Sequence, residues 1–190
     1  MGILLGFAPF IVFALLTSIS TDLALWAALA AAFAIGIRDF AHTRLLRILD
    51  VGSMILFGML ALYTGFIQPS LSIQAVRLIV DGGLFSIALV SLLIGNPFTL
   101  DYAREQVAKE FWQAPLFLRT NYIVAGVWTL ALAAMTAADA AATFNAHFSP
   151  NLDGAAGFAA LTLAVIFTAR YPAQMRTQAT RSATAKRRRL

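Results

Sequence analysis

Residues 78–95 read LIVDGGLFSIALVSLLIG, eighteen positions with a single charge, Asp81. A run of that length and apolarity crosses the ~30 Å hydrocarbon core of a bilayer as an α-helix. It lacks the apolar–polar alternation of a barrel strand, so its backbone groups must be satisfied along the helix itself. Five further apolar runs lie outward from it, at 3–19, 23–37 and 51–67 on one side and at 121–141 and 155–169 on the other. The sequence therefore predicts an all-α, polytopic membrane protein with six transmembrane helices over residues 1–170. The run at 23–37 is short and either begins earlier or thins the bilayer locally.

Composition agrees. Hydrophobic residues make up 60% and charged residues 12% of the 190 positions, against about 45–50% and ~25% in soluble domains. There is no cysteine, which removes disulfides, thiolate metal sites and thiol nucleophiles. The net charge of +5 does not point to nucleic acid, because half of the Lys and Arg residues fall from Arg170 onward and the rest sit at helix ends. Met1–Gly6 has no basic region ahead of its apolar run, and position 6 is not the Ser or Thr of a myristoylation signal. The first run is thus expected to be kept as a span.

The basic residues orient the bundle. Arg38, Arg44 and Arg47 follow the second run, and Arg104, Lys109 and Arg119 follow the fourth. The tail carries Arg170, Arg176, Arg181, Lys186, Arg187, Arg188 and Arg189, so in a six-span arrangement only Arg77 falls on the opposite side. The positive-inside rule then places both termini in the cytoplasm. The polar residues of 171–190 predict a disordered basic tail.

In the connection at 96–120, Asn96-Pro97 should end the fourth span. Thr99 is expected as the N-cap of an amphipathic interfacial helix with Asp101 in its first turn. Leu100, Ala103, Val107 and Phe111 would form its apolar stripe and Glu105–Lys109 an i,i+4 pair. Pro115 is expected to end it, and Trp112 to anchor it at headgroup level. A second interfacial piece is expected at 39–49.

Chemistry is sparse. His42 and His147 fall on opposite sides of the bilayer and cannot share a metal or haem. No ionisable residue lies at the centre of a span, where pumps and proton-coupled carriers need one. Ser53, Ser86, Ser91, Thr129 and Thr162 are expected to bond their own backbone or a neighbour. No phosphate loop, nucleophile elbow, zincin or paired-carboxylate signature is present, so catalytic, cofactor and metal sites are read as none. Gly82 and Gly83 are expected to admit a neighbouring helix, whereas Gly52, Gly58 and Gly65 miss the small-xxx-small spacing of a dimer face. Asp22, Arg77, Asp81 and Asp139 are expected to gather at the outer end of the bundle. They read either as an interfacial Arg77–Asp81 pair with two solvated acids, or as a pocket for a solute or partner. Trp112, Lys186, Arg187, Arg188 and Arg189 are candidate headgroup contacts, the tail cluster serving equally well as an orientation signal.

Phe7-Ala8-Pro9-Phe10-Ile11-Val12-Phe13, the alanine-rich stretch at 27–37 with its basic loop, Phe57-Gly58, and Trp112, Asn121 and Trp128 resemble, in order, the layout of the intracellular septation protein A family of bacterial inner-membrane proteins. The likeness covers roughly residues 4–140. The Pro-Thr that opens that family's fourth span is absent here, with Val80-Asp81 in its neighbourhood, and the sixth run and the Arg-rich tail are additional. The resemblance implies cell-envelope and division upkeep through protein contacts, with other membrane proteins or a second copy as partners. A small-solute carrier using the outer cluster is the alternative. A lipid-modifying enzyme would have Asp101, Arg104 and Glu105 as its cytoplasmic candidates.

Overall fold

The computed structural model describes residues 5–44, 46–68, 71–144, 154–155 and 157–171. It is all-helical, with no strand among the described residues. The elements are α1 (Ala8–Leu16), α2 (Thr21–Thr43), α3 (Ile48–Phe66), α4 (Ile73–Leu93), α5 (Thr99–Arg104), a 3-10 turn (Lys109–Phe111), α6 (Pro115–Phe144) and α7 (Gly157–Tyr171).

Four helices are long and apolar enough to cross a membrane: α2 over Thr21–His42, α3, α4 and α6. At 1.5 Å per residue, α3 spans about 28 Å and α6 about 45 Å. The first and sixth expected spans are shorter as helices, nine residues in α1 and fifteen in α7. Pro9 sits at the start of α1, where its missing N–H costs nothing. Behind it the chain turns at Phe7.

Local chemistry sets the other boundaries. Ser20 accepts from the Leu23 N–H at 3.4 Å and Ser72 from the Ala75 N–H at 3.2 Å, each capping the start of a long helix. The second expected span is extended, for α2 absorbs the expected interfacial segment at 39–49 as far as Thr43. It stops where Arg44 enters the left-handed region at φ 58°. Gly95, at φ 78°, turns the chain out of α4 ahead of Asn96-Pro97.

Direction alternates from element to element. Gly6, before α1, lies against Tyr102 of α5, and Gly157 at the start of α7 lies against Met135 while Thr168 bonds Trp128. One end of the bundle therefore carries Gly6, the α2–α3 turn, α5, the start of α6 and Tyr171. The other carries the α1–α2 and α3–α4 turns and the end of α6.

The core is aromatic near α1 and small elsewhere. Phe10 and Phe13 pack on Phe57 at ring separations of 5.1 and 6.0 Å, and Phe7 stacks on Trp128 at 4.8 Å. Ala24, Ala28, Ala61, Ala88 and Ala125 are buried and keep the backbones close. As expected, Ser53, Ser86, Ser91 and Thr129 donate to carbonyls of their own helices at 2.6–2.9 Å. The outer faces carry Leu15, Met59, Phe66, Leu130 and Phe158, each more than 60% exposed. Water would penalise so continuous an apolar surface, and lipid solvates it.

Candidate functional site at the basic end

The polar residues at the Gly6 end form one lattice. Arg47, directly before α3, has a side chain only 8% exposed. Its Nη1 lies 2.8 Å from Asp39 Oδ2 at the end of α2, and its Nη2 pairs with Glu105 just past α5. The guanidinium also stands over the Tyr102 ring, 4.4 Å from its centroid. Arg38 donates through Nε and Nη2 to the other Asp39 oxygen at 2.9 and 2.6 Å. Asp50 accepts from the Arg47 backbone N–H at 3.3 Å and so caps the start of α3. Arg104 pairs loosely with Asp101 at 3.5 Å and sits 5.6 Å from the Trp112 ring centre.

This lattice exists because three separate segments converge. Phe98 donates its N–H to Ser91 Oγ at 3.1 Å, and Thr99 donates its hydroxyl to the Asn121 carbonyl at 3.1 Å, fixing α5 between α4 and α6. Leu100 and Tyr102 then point inward and are 2% exposed. The Tyr102 hydroxyl meets Gly6, where an added Cβ would overlap it, and it makes no hydrogen bond of standard geometry among the described residues.

Burial sets the electrostatics. It pushes the Tyr102 phenol far above its usual range, with the charge of Asp50 next in weight. Burial also raises the Asp101 carboxyl, against the opposing pull of Arg104 and the Ile48 N–H. For Arg47 burial acts to lower the pKa, but Tyr102, Asp39 and Glu105 together outweigh it and the net direction is up. Arg47 is thus a permanent cation that the surrounding acids hold in place.

Several sequence expectations change here. The interfacial helix begins near Thr99 but ends at Arg104, and Phe98 rather than Thr99 is its N-cap. Thr99 spends its hydroxyl on α6 instead. Glu105 turns to Arg47, so the expected Glu105–Lys109 helical pair does not form along a continuous helix. Pro115 begins α6 rather than ending the preceding piece, in keeping with the preference of proline for the first helical turn. Trp112 is half-buried, and its indole N–H donates to the Val107 carbonyl at 3.0 Å, closing the connection on itself.

At the opposite end, Arg77 Nη2 approaches Asp139 Oδ1 to 3.8 Å across α4 and α6. Asp139 is 3% exposed, and its Oδ2 is buried with no hydrogen-bond partner among the described residues. Asp81 lies one turn further along α4 and is half-buried, while Asp22 is exposed on the first turn of α2. His42 is exposed near the end of α2. His147, Lys186, Arg187, Arg188 and Arg189 lie outside the described residues, as do most of 171–190.

The sequence reading missed Asp39, Asp50 and Tyr102. The available signal is that Asp39 and Asp50 are interspersed with Arg38, Arg44 and Arg47 in one short gap, a pattern that a count of positive charge alone overlooks. No group of three metal-ligating side chains occurs among the described residues. Compared with known proteins, the chain matches no family model, no curated protein and no solved structure.

Proposed function

We propose that the chain is a non-enzymatic, six-span protein of the bacterial inner membrane, with both termini cytoplasmic, that associates with cell-envelope or division components through its basic end. The observation that carries this reading is the Arg47 lattice. It ties the α2–α3 turn to α5 and holds the following connection as a fixed surface, on which Lys109, Glu110 and Phe111 are exposed. Its charges are consumed in mutual pairing, which suits an architectural role better than turnover. Between the two polar ends the core is apolar, through Leu25, Phe57, Leu84 and Leu132. The septation-protein layout supports the same reading, with membrane proteins or a second copy as partners, lipid as solvent and no role for nucleic acid.

The test is a photo-crosslinking residue at Phe111, compared with one at the lipid-facing Leu130. A discrete envelope protein captured at 111, lost in Arg47→Met, and an envelope defect in a deletion strain are expected. No capture together with a normal envelope would overturn the proposal. Asp139 favours a second reading, a small-solute carrier or channel, because a nearly buried carboxylate with one oxygen lacking a hydrogen-bond partner among the described residues is costly to keep. Solute flux in proteoliposomes that disappears in Asp139→Asn would select it.

A further inference from the structure

Between α3 and α4 lies an open groove of about 570 Å³, lined by nine residues and almost wholly apolar. Gly52, Ile55, Met59 and Tyr63 form one wall, and Ile79 and Gly83 belong to the other. The two helices touch through reciprocal notches. Ile87 packs over Gly52, where an added Cβ would come within 2.7 Å of its Cδ1, and Leu56 fills the place of the missing side chain at Gly83. Beside these contacts Ile55 is 56% and Met59 68% exposed.

We propose that this groove holds one acyl chain of an anionic phospholipid as a retained, site-bound lipid. The dimensions select a chain over a helix. From Gly52 to Tyr63 the groove runs about 16 Å, which gives a mean cross-section of about 35 Å². An α-helix with its side chains is about 10–12 Å across and does not enter such a slot. A second copy docking here would need on the order of 20–30 residues per side, and the groove offers nine.

Charge selects the headgroup. The groove starts at Gly52, five residues past Arg47 and so about 7.5 Å along α3 from the basic end, where Arg38 and Arg104 are already paired with Asp39 and Asp101. Arg44, Lys109 and Arg119 are exposed there, while the Tyr63 end has Arg77 as its described cation. These three exposed cations outnumber the exposed acids of that end, Glu105 and Glu110, so an anionic headgroup is drawn to the Gly52 end, at ~1 kcal/mol for each basic residue in excess, and its chain lies toward Tyr63. Transfer from bulk lipid gains no hydrophobic energy, so retention rests on packing in the preformed slot and on the headgroup charge.

The experiment reconstitutes the full chain in vesicles of phosphatidylglycerol and phosphatidylethanolamine, extracts it in detergent, and counts retained lipid by native mass spectrometry. Phosphatidylglycerol is expected to persist on the wild-type chain. Ile79→Trp and Met59→Trp, which fill the slot from opposite walls, should each lower its retention by on the order of tenfold, equivalent to ~1.4 kcal/mol. Leu130→Trp, on the lipid-facing surface of α6, should leave retention unchanged. Equal retention of both lipids, or no loss in either groove-filling variant, would overturn the proposal. The chain has no cysteine, so a disulfide-linked dimer of Met59→Cys would also overturn it by showing a second copy in the slot.

Discussion

Replacing Arg47 by methionine removes the cation while keeping most of the side-chain volume, and its cost can be worked from its partners. Asp39, whose side chain is 3% exposed, loses a guanidinium at 2.8 Å. Glu105 loses its partner as well, and the Tyr102 ring loses a cation 4.4 Å from its centre. Breaking a buried pair from one side costs ~3–5 kcal/mol. Arg38 remains on Asp39 at 2.6 Å, so the lower bound, about 3 kcal/mol, is expected. The assay is unfolding in mixed micelles by a denaturing detergent. Arg38→Ala provides the comparison, because that side chain is 42% exposed and such pairs contribute ~0–1 kcal/mol. The double variant Arg47→Met/Asp39→Asn should lose less than the sum of the singles, since the second change removes the orphaned charge. Arg47→Lys should fall between, a point charge being unable to fork to both acids. If Arg47→Met is no more destabilising than Arg38→Ala, the lattice does not hold this end together.

Other outcomes follow from single contacts. Asp101→Asn should stabilise the protein at neutral pH, because burial raises that carboxyl in the folded state and folding then disfavours its ionised form. The gain should shrink as pH falls and vanish below about pH 4, where the carboxyl is protonated both folded and unfolded. Melting curves across that range check the sign. Gly6→Ala should cost ~1–3 kcal/mol, since the added methyl overlaps a Tyr102 hydroxyl too buried to move aside. Trp128→Phe keeps the stack on Phe7 but loses the 2.8 Å bond to Thr168, a loss of ~0.6 kcal/mol in a membrane setting. Protease protection of α7 in that variant reports whether the bond holds it to α6.

Chain order and apolar run length were enough to establish that this is an all-helical protein with membrane-length helices at the second to fifth runs. The reason is that a spanning helix satisfies its own backbone, so each is legible without knowing its neighbours. The alternation of basic gaps likewise anticipates that Arg38, Arg44 and Arg47 share an end with Arg104 and Lys109. What Arg47 does there was not legible. Its partners Asp39, Glu105 and Tyr102 lie 8, 58 and 55 positions away in sequence; the α2–α3 turn presents Asp39, and only the docking of α5 between α4 and α6 brings Glu105 and Tyr102 within reach. The same docking decided that Thr99 bonds α6 instead of capping α5, and that Glu105 abandons Lys109. A local pair worth a few tenths of a kcal/mol yields to a buried cation whose acids would otherwise be stranded, and that competition is settled by tertiary geometry alone.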